Sequence, residues 1–96
     1  MTTTSAIVPT AATPVPMVRW IFQRGGHLLT CEVDARSRHT FDVSVVPHWD
    51  VSSAVVERFD HAVTAMERHA AIAQSLRSHG WQVVRHATAH DRAAAA

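Results

Sequence analysis

A chain of 96 residues holds one domain at most, and a formal net charge of +1 argues against a dedicated nucleic-acid binder, whose surface must neutralise phosphates. A single cysteine, Cys31, excludes an internal disulfide and points to the reducing cytoplasm. No apolar run is long enough for a transmembrane helix.

Residues 1–17, MTTTSAIVPTAATPVPM, are uncharged, rich in Thr, Ala and Pro, and without period, so this segment is expected to be disordered. It lacks the basic start and continuous apolar core of a signal peptide. The folded domain is expected over 18–87, followed by a flexible tail over 88–96. A core of that size contributes little net stability, a situation in which self-association is common.

Residues 18–24 alternate, with Val18, Trp20 and Phe22 on one face and Arg19, Ile21 and Gln23 on the other. Gly25-Gly26 then reads as a two-residue hairpin turn, for which positive φ is expected at both positions. Such a turn pairs Arg24 with His27, Phe22 with Leu29, Trp20 with Cys31 and Val18 with Val33, and the last three pairs are apolar on both sides. Arg36-Ser37-Arg38 reads as a three-residue loop into a third strand over 39–46. That loop pairs Val33 with Phe41, Cys31 with Val43 and Leu29 with Val45. Pro47 stops the strand, because it cannot donate to a ladder.

The strongest periodic signal predicts one long helix over 53–80. At about 100° per residue, Val55, Val56, Phe59, Ala62, Val63, Met66, Ala70, Ala73 and Leu76 share one stripe, opposite Glu57, Asp60, Glu67 and Arg68. Asp50, Ser52 and Ser53 are N-cap candidates, of which Ser53 suits the period best. Gly80 suits the left-handed position past the last turn, with Trp81 folding back onto Leu76. Residues 81–85 form a possible fourth strand, which a right-handed crossover would lay parallel to the first in the order 3-2-1-4; an extended tail under the helix is the alternative. The fold class is therefore α+β: a three-stranded antiparallel meander against one long helix, with a possible short fourth strand (β-β-β-α-β).

Eight histidines stand out, yet His61 and His69 fall on different sides of the helix, and His86 and His90 lie in the expected tail. They read as scattered surface residues rather than a zinc set, and Glu57–His61 as a helix-surface pair. Cys31 faces inward as a small, unreactive core residue. On the outer sheet face, Arg19 opposes Glu32, and Glu32 opposes Asp42 with Asp34 nearby. Three carboxylates there could take a hard cation, though screening by water and Arg19 is the plainer reading.

The rest of that face carries Ile21, Leu28 and Val46 with Gln23 and Thr30, an apolar row that tends to be covered. Candidates for the cover are Ile7 and Val8 of the leader, a second copy, or another protein. A helix of 27 residues over 53–79 would span about 40 Å against strands of ~23–30 Å, so one end should overhang. Ile72, off the main stripe, would then meet a partner. The expected function is a small non-enzymatic interaction or regulatory module without metal or cofactor. It is expected to self-associate through Ile21, Gln23, Leu28, Thr30, Val46 and Ile72, on the outer face or a sheet edge. The alternative is a nucleic-acid-binding module with Arg19, Arg24, Arg36 and Arg38 as a basic rim and Trp20 as a stacking platform, which the inward register of Trp20 disfavours.

Overall fold

The structure, a computed structural model, describes residues 14–88; of the N-terminal segment expected over 1–17 and the tail expected over 88–96, residues 1–13 and 89–96 lie outside the described residues. Strand β1 (Val15–Arg24) pairs antiparallel with β2 (His27–Ser37) in the expected register, Trp20 opposite Cys31 and Val18 opposite Val33. The turn between them has positive φ at Gly25 (60°) but not at Gly26, the pattern of a type II′ turn. β1 also starts earlier than the alternation suggests, so residues 15–17 belong to the sheet and not to the leader. Pro16 is accommodated because the register slips between it and Val18, at a bulge where a missing N–H costs nothing.

Strand β3 (Thr40–Pro47) pairs with β2 two residues away from the expected register: Val33 opposes Val43, and Cys31 opposes Val45. The turn is Arg38-His39, with a bulge between Ala35 and Ser37 absorbing the difference. An even slip leaves every side chain on its face, so the expected inner set survives although each pair changes.

The largest departure from expectation follows Pro47. Asp50 and the two serines build a 3-10 turn (Val51–Ser53) instead of capping a long helix. Ser53 N–H donates to Asp50 O (3.0 Å) and Ser52 Oγ to Asp50 Oδ1 (2.6 Å). Residues Val55–Phe59 then form β4, antiparallel to β3, with Val55 opposite Val45 and Phe59 opposite Phe41. The run is β-branched and aromatic, and the helical stripe expected there arises because five residues fit either period.

Helix α1 is only Ala62–Ser78, 17 residues, with His61 at the N-cap making no side-chain cap bond. Its sheet-facing side is Ala62, Ala65, His69, Ile72, Ala73 and Leu76, whereas Val63 and Met66 are exposed. That stripe is rotated by roughly 80° from the expected one. Small residues at 62, 65 and 73 let the helix sit close to the strands. Ile72 packs against both halves of the core, so its assignment to an outward contact is corrected.

The helix ends as expected. Gly80 has φ +92°, its N–H donates to Arg77 O (3.0 Å), and Trp81 N–H donates to Leu76 O (3.0 Å), the paired bonds of a Schellman motif. Strand β5 (Gln82–Thr88) then pairs with β1, the expected neighbour, but antiparallel. The unforeseen β4 adds one reversal and inverts its direction. The sheet order is β4-β3-β2-β1-β5, an α+β fold whose one described α-helix crosses one face between the two edge strands. Val18, Val33, Phe41, Val43 and Ala65 form one half of the core, and Phe22, Leu29, Cys31, Ala73 and Trp81 the other, with Trp20 and Ile72 touching both. No described helix is long and apolar enough to cross a membrane.

Candidate interaction surfaces

Because α1 covers only the inner face, the opposite face of the sheet is bare of any described secondary element. Register places Ile21, Thr30 and Val46 side by side in its middle, with Arg85 beyond Ile21 on β5. Thr30 is nearly inaccessible, at 3% exposure, because the chain after β3 folds back across the end of this face. His48 holds that segment down: its N–H donates to Leu28 O (3.0 Å), and its Nε2 shares a 2.7 Å hydrogen bond with Thr30 Oγ1. The result is a groove of about 390 Å³ lined by Arg19, Thr30, Glu32, Val46, His48 and Val51. A hollow of about 290 Å³ lies across Arg19, between Ile21, Arg85 and Ala87. Of the expected interaction residues, Ile21 and Val46 are half-buried there, Thr30 forms the floor, and Gln23 and Leu28 are exposed near the hairpin.

The carboxylates of this face are arranged differently from the expected set. Glu32 lies opposite Arg19 and Ser44, and the like-charge neighbours are Asp34 and Asp42. Arg58, supplied by β4, donates to both Asp42 oxygens (2.9 and 3.2 Å), and Arg36 Nε donates to Oδ2. Arg58's hydrogen bonds hold the Asp42 carboxyl below its ordinary pKa against the opposing effect of burial, and Arg36 adds to them. Asp34 Oδ1 is buried with no hydrogen-bond partner among the described residues. No described group of three His, Cys, Asp or Glu side chains is arranged to hold a metal ion.

The inner face contains one polar feature that the periodicity missed. His69 is buried, its Nε2 lies 3.2 Å from Cys31 O, and Trp20 stands edge-on to its ring at 5.2 Å. A carbonyl only accepts, so the imidazole carries its proton on Nε2. Burial lowers the His69 pKa, opposed by that bond, and burial pushes the Cys31 thiol up to about 12. A buried imidazole donating to a backbone carbonyl and a thiol that burial keeps protonated are packing features, unsuited to nucleophilic chemistry near neutral pH. Trp20 is half-buried in the same place, with Arg77 over its ring (5.5 Å) and His86 nearby (6.0 Å). The spacing of positions 62, 65, 69, 72, 73 and 76 is a helical face legible in the sequence, but a histidine in its centre counts against it on any apolar scale. Glu57, expected beside His61, instead accepts from Arg68 Nε at 2.6 Å.

A third surface closes the hairpin end of the sheet. Trp49, in the segment after β3, is 54% exposed and lies nearly parallel to the buried Trp81 (12°, centroids 6.2 Å). The His27 ring meets Trp49 at 79° and 4.8 Å, and the Arg24 guanidinium sits 5.0 Å from the Trp81 centroid. Comparison with known protein families, with curated proteins and with solved structures finds no match.

Proposed function

We propose that this protein is a small non-enzymatic interaction module that self-associates through the outer face of its sheet. One observation carries the reading: among the described residues the five-stranded sheet is covered by a helix on one side only, and its other side holds Ile21, Val46 and Val56, with Val46 lining a groove. Covering apolar surface is worth about 25 cal/mol per Å², and a domain this small has few other sources of stability. The face is a better surface than the edges. β5 carries a bulge at Val84 followed by Arg85, and β4 is five residues long with Glu57 and Arg58 in it; short, charged or bulged edges discourage strand addition. A second copy is the simplest occupant, since two-fold pairing needs only one self-complementary patch. The inertness of Cys31 and His69 supports the non-enzymatic part.

Light scattering across a dilution series from micromolar concentrations tests it. A dimer mass is expected, with Ile21→Lys and Val46→Lys giving monomers of unchanged far-UV circular dichroism. A monomer mass throughout, indifferent to both substitutions, would remove self-association.

A further inference from the structure

We infer that the cleft between Trp49, Trp81, Arg24 and His27 is a binding site for a nucleobase carrying a phosphate. The cleft has a volume of about 180 Å³. It is continued by a second of about 240 Å³ that shares His27 and Trp49 and extends along Gly26, Leu28 and His48. The first is small beside the ~300–1,000 Å³ of common ligand pockets but admits one flat ring system, and the second leaves room for a substituent.

The chemistry of the walls narrows the ligand. Trp49 offers an accessible indole, and bases of any sequence stack on such a platform. Arg24 is held in place by donating Nη1–H to His79 O (2.9 Å), which leaves its other N–H groups for an incoming acceptor. A methylammonium-type cation is disfavoured, because the guanidinium already occupies the face of Trp81. A sugar is disfavoured, because no carboxylate or amide side chain lines either cleft to accept from its hydroxyls. The nearest acid in sequence, Asp50, has Oδ1 taken by Ser52. Aromatic faces combined with Arg and His donors match a ligand that is flat at one end and anionic at the other. The near-neutral chain implies modest affinity, set by stacking more than by charge.

Such a base-phosphate unit is presented by a free nucleotide or by single-stranded nucleic acid. Full-length protein is titrated with adenosine monophosphate by calorimetry and with fluorescently labelled ten-residue oligouridylate by anisotropy. Binding of at least one probe is expected, weakened fivefold or more by Trp49→Ala, kept largely by Trp49→Phe, and weakened by His27→Ala, with circular dichroism unchanged. Equal affinity per base for both probes assigns the site to free nucleotides. Binding of the oligomer alone, falling with salt at a log–log slope of about −0.7 per phosphate contacted, assigns it to a strand. No binding of either probe at millimolar concentration overturns the inference. So does binding that is indifferent to Trp49→Ala but abolished by Ile21→Lys, which would place the ligand on the outer face.

Discussion

Replacing His69 by alanine should remove about 2–4 kcal/mol of stability at pH 8, a large share of what so small a domain holds. The hydrogen bond to Cys31 O contributes ~1 kcal/mol and the edge-on contact with Trp20 ~0.5–1.5 kcal/mol, and loss of a fully packed ring adds a cavity cost of similar size. The deficit should also depend on pH in one direction. His69 in the folded chain has a pKa below its ordinary value of 6.5, so between that value and the lowered one the unfolded chain takes up a proton that the folded chain does not. Wild-type stability contributed by this group is therefore whole above pH 6.5 and declines on acidification, by at most ~1.4 kcal/mol per pH unit. The alanine variant lacks that decline, so the gap between the two should narrow from pH 8 to pH 5. Urea denaturation followed by far-UV circular dichroism measures it, avoiding tryptophan fluorescence because Trp20 touches the site. A deficit below ~0.5 kcal/mol, or one that stays constant across the range, would refute the buried neutral histidine.

Gly80→Val should cost ~1–3 kcal/mol in the same assay, entirely from the backbone, because an added Cβ there meets only Arg24 Cδ at an ordinary 3.5 Å. Gly25→Ala should cost about 1 kcal/mol, while Gly26→Ala should be neutral, since its φ is not positive and a Cβ there meets open space. Asp42→Asn should cost about 1 kcal/mol at pH 7, limited because Arg36 and Arg58 face solvent. The Asp42 pKa is lowered, so its contribution is present above the ordinary carboxyl value of 3.8 and is lost as pH falls through the lowered one. An acid titration of wild type and variant should therefore converge only below about pH 4.

The first hairpin is legible in the sequence because a two-residue turn leaves one pairing, and that pairing matches apolar to apolar at Phe22–Leu29, Trp20–Cys31 and Val18–Val33. The second hairpin is legible only in its faces. Nothing in Arg36-Ser37-Arg38-His39 dictates whether the extra residue sits in the turn or in a bulge, and both solutions preserve parity. Val55–Phe59 defeats pattern reading for a sharper reason. Its residues at 55, 56 and 59 fit a helix and those at 55, 57 and 59 a strand, and the pairing partner that decides, β3, is non-local. Borrowing those five residues also tilted the helical stripe, hiding His69 and turning Ile72 outward. The Trp49 cleft is made by residues from three separate segments, 24–27, 49 and 81, and no local signal joins them.

The shortened helix moves the apolar surface open to partners. At 17 residues α1 is about 26 Å long, no longer than a ten-residue strand at ~33 Å, so neither end need overhang. A second copy recruited by an overhanging Ile72 therefore loses its physical basis. Exposed apolar surface remains on the helix, at Val63 and Met66, and on the outer sheet face, at Val56, and the outer groove and the Trp49 cleft meet at one short segment. His48 lines the outer groove and the second cleft, and the adjoining Trp49 lines both clefts. That segment is pinned by the two hydrogen bonds of His48, to Leu28 O and to Thr30. On the proposed function a partner covering the outer groove would meet His48, and on the further inference a base would stack on the adjoining Trp49. On those two proposals both ligands would touch adjoining residues of one segment, and any coupling between them would run equally in both directions.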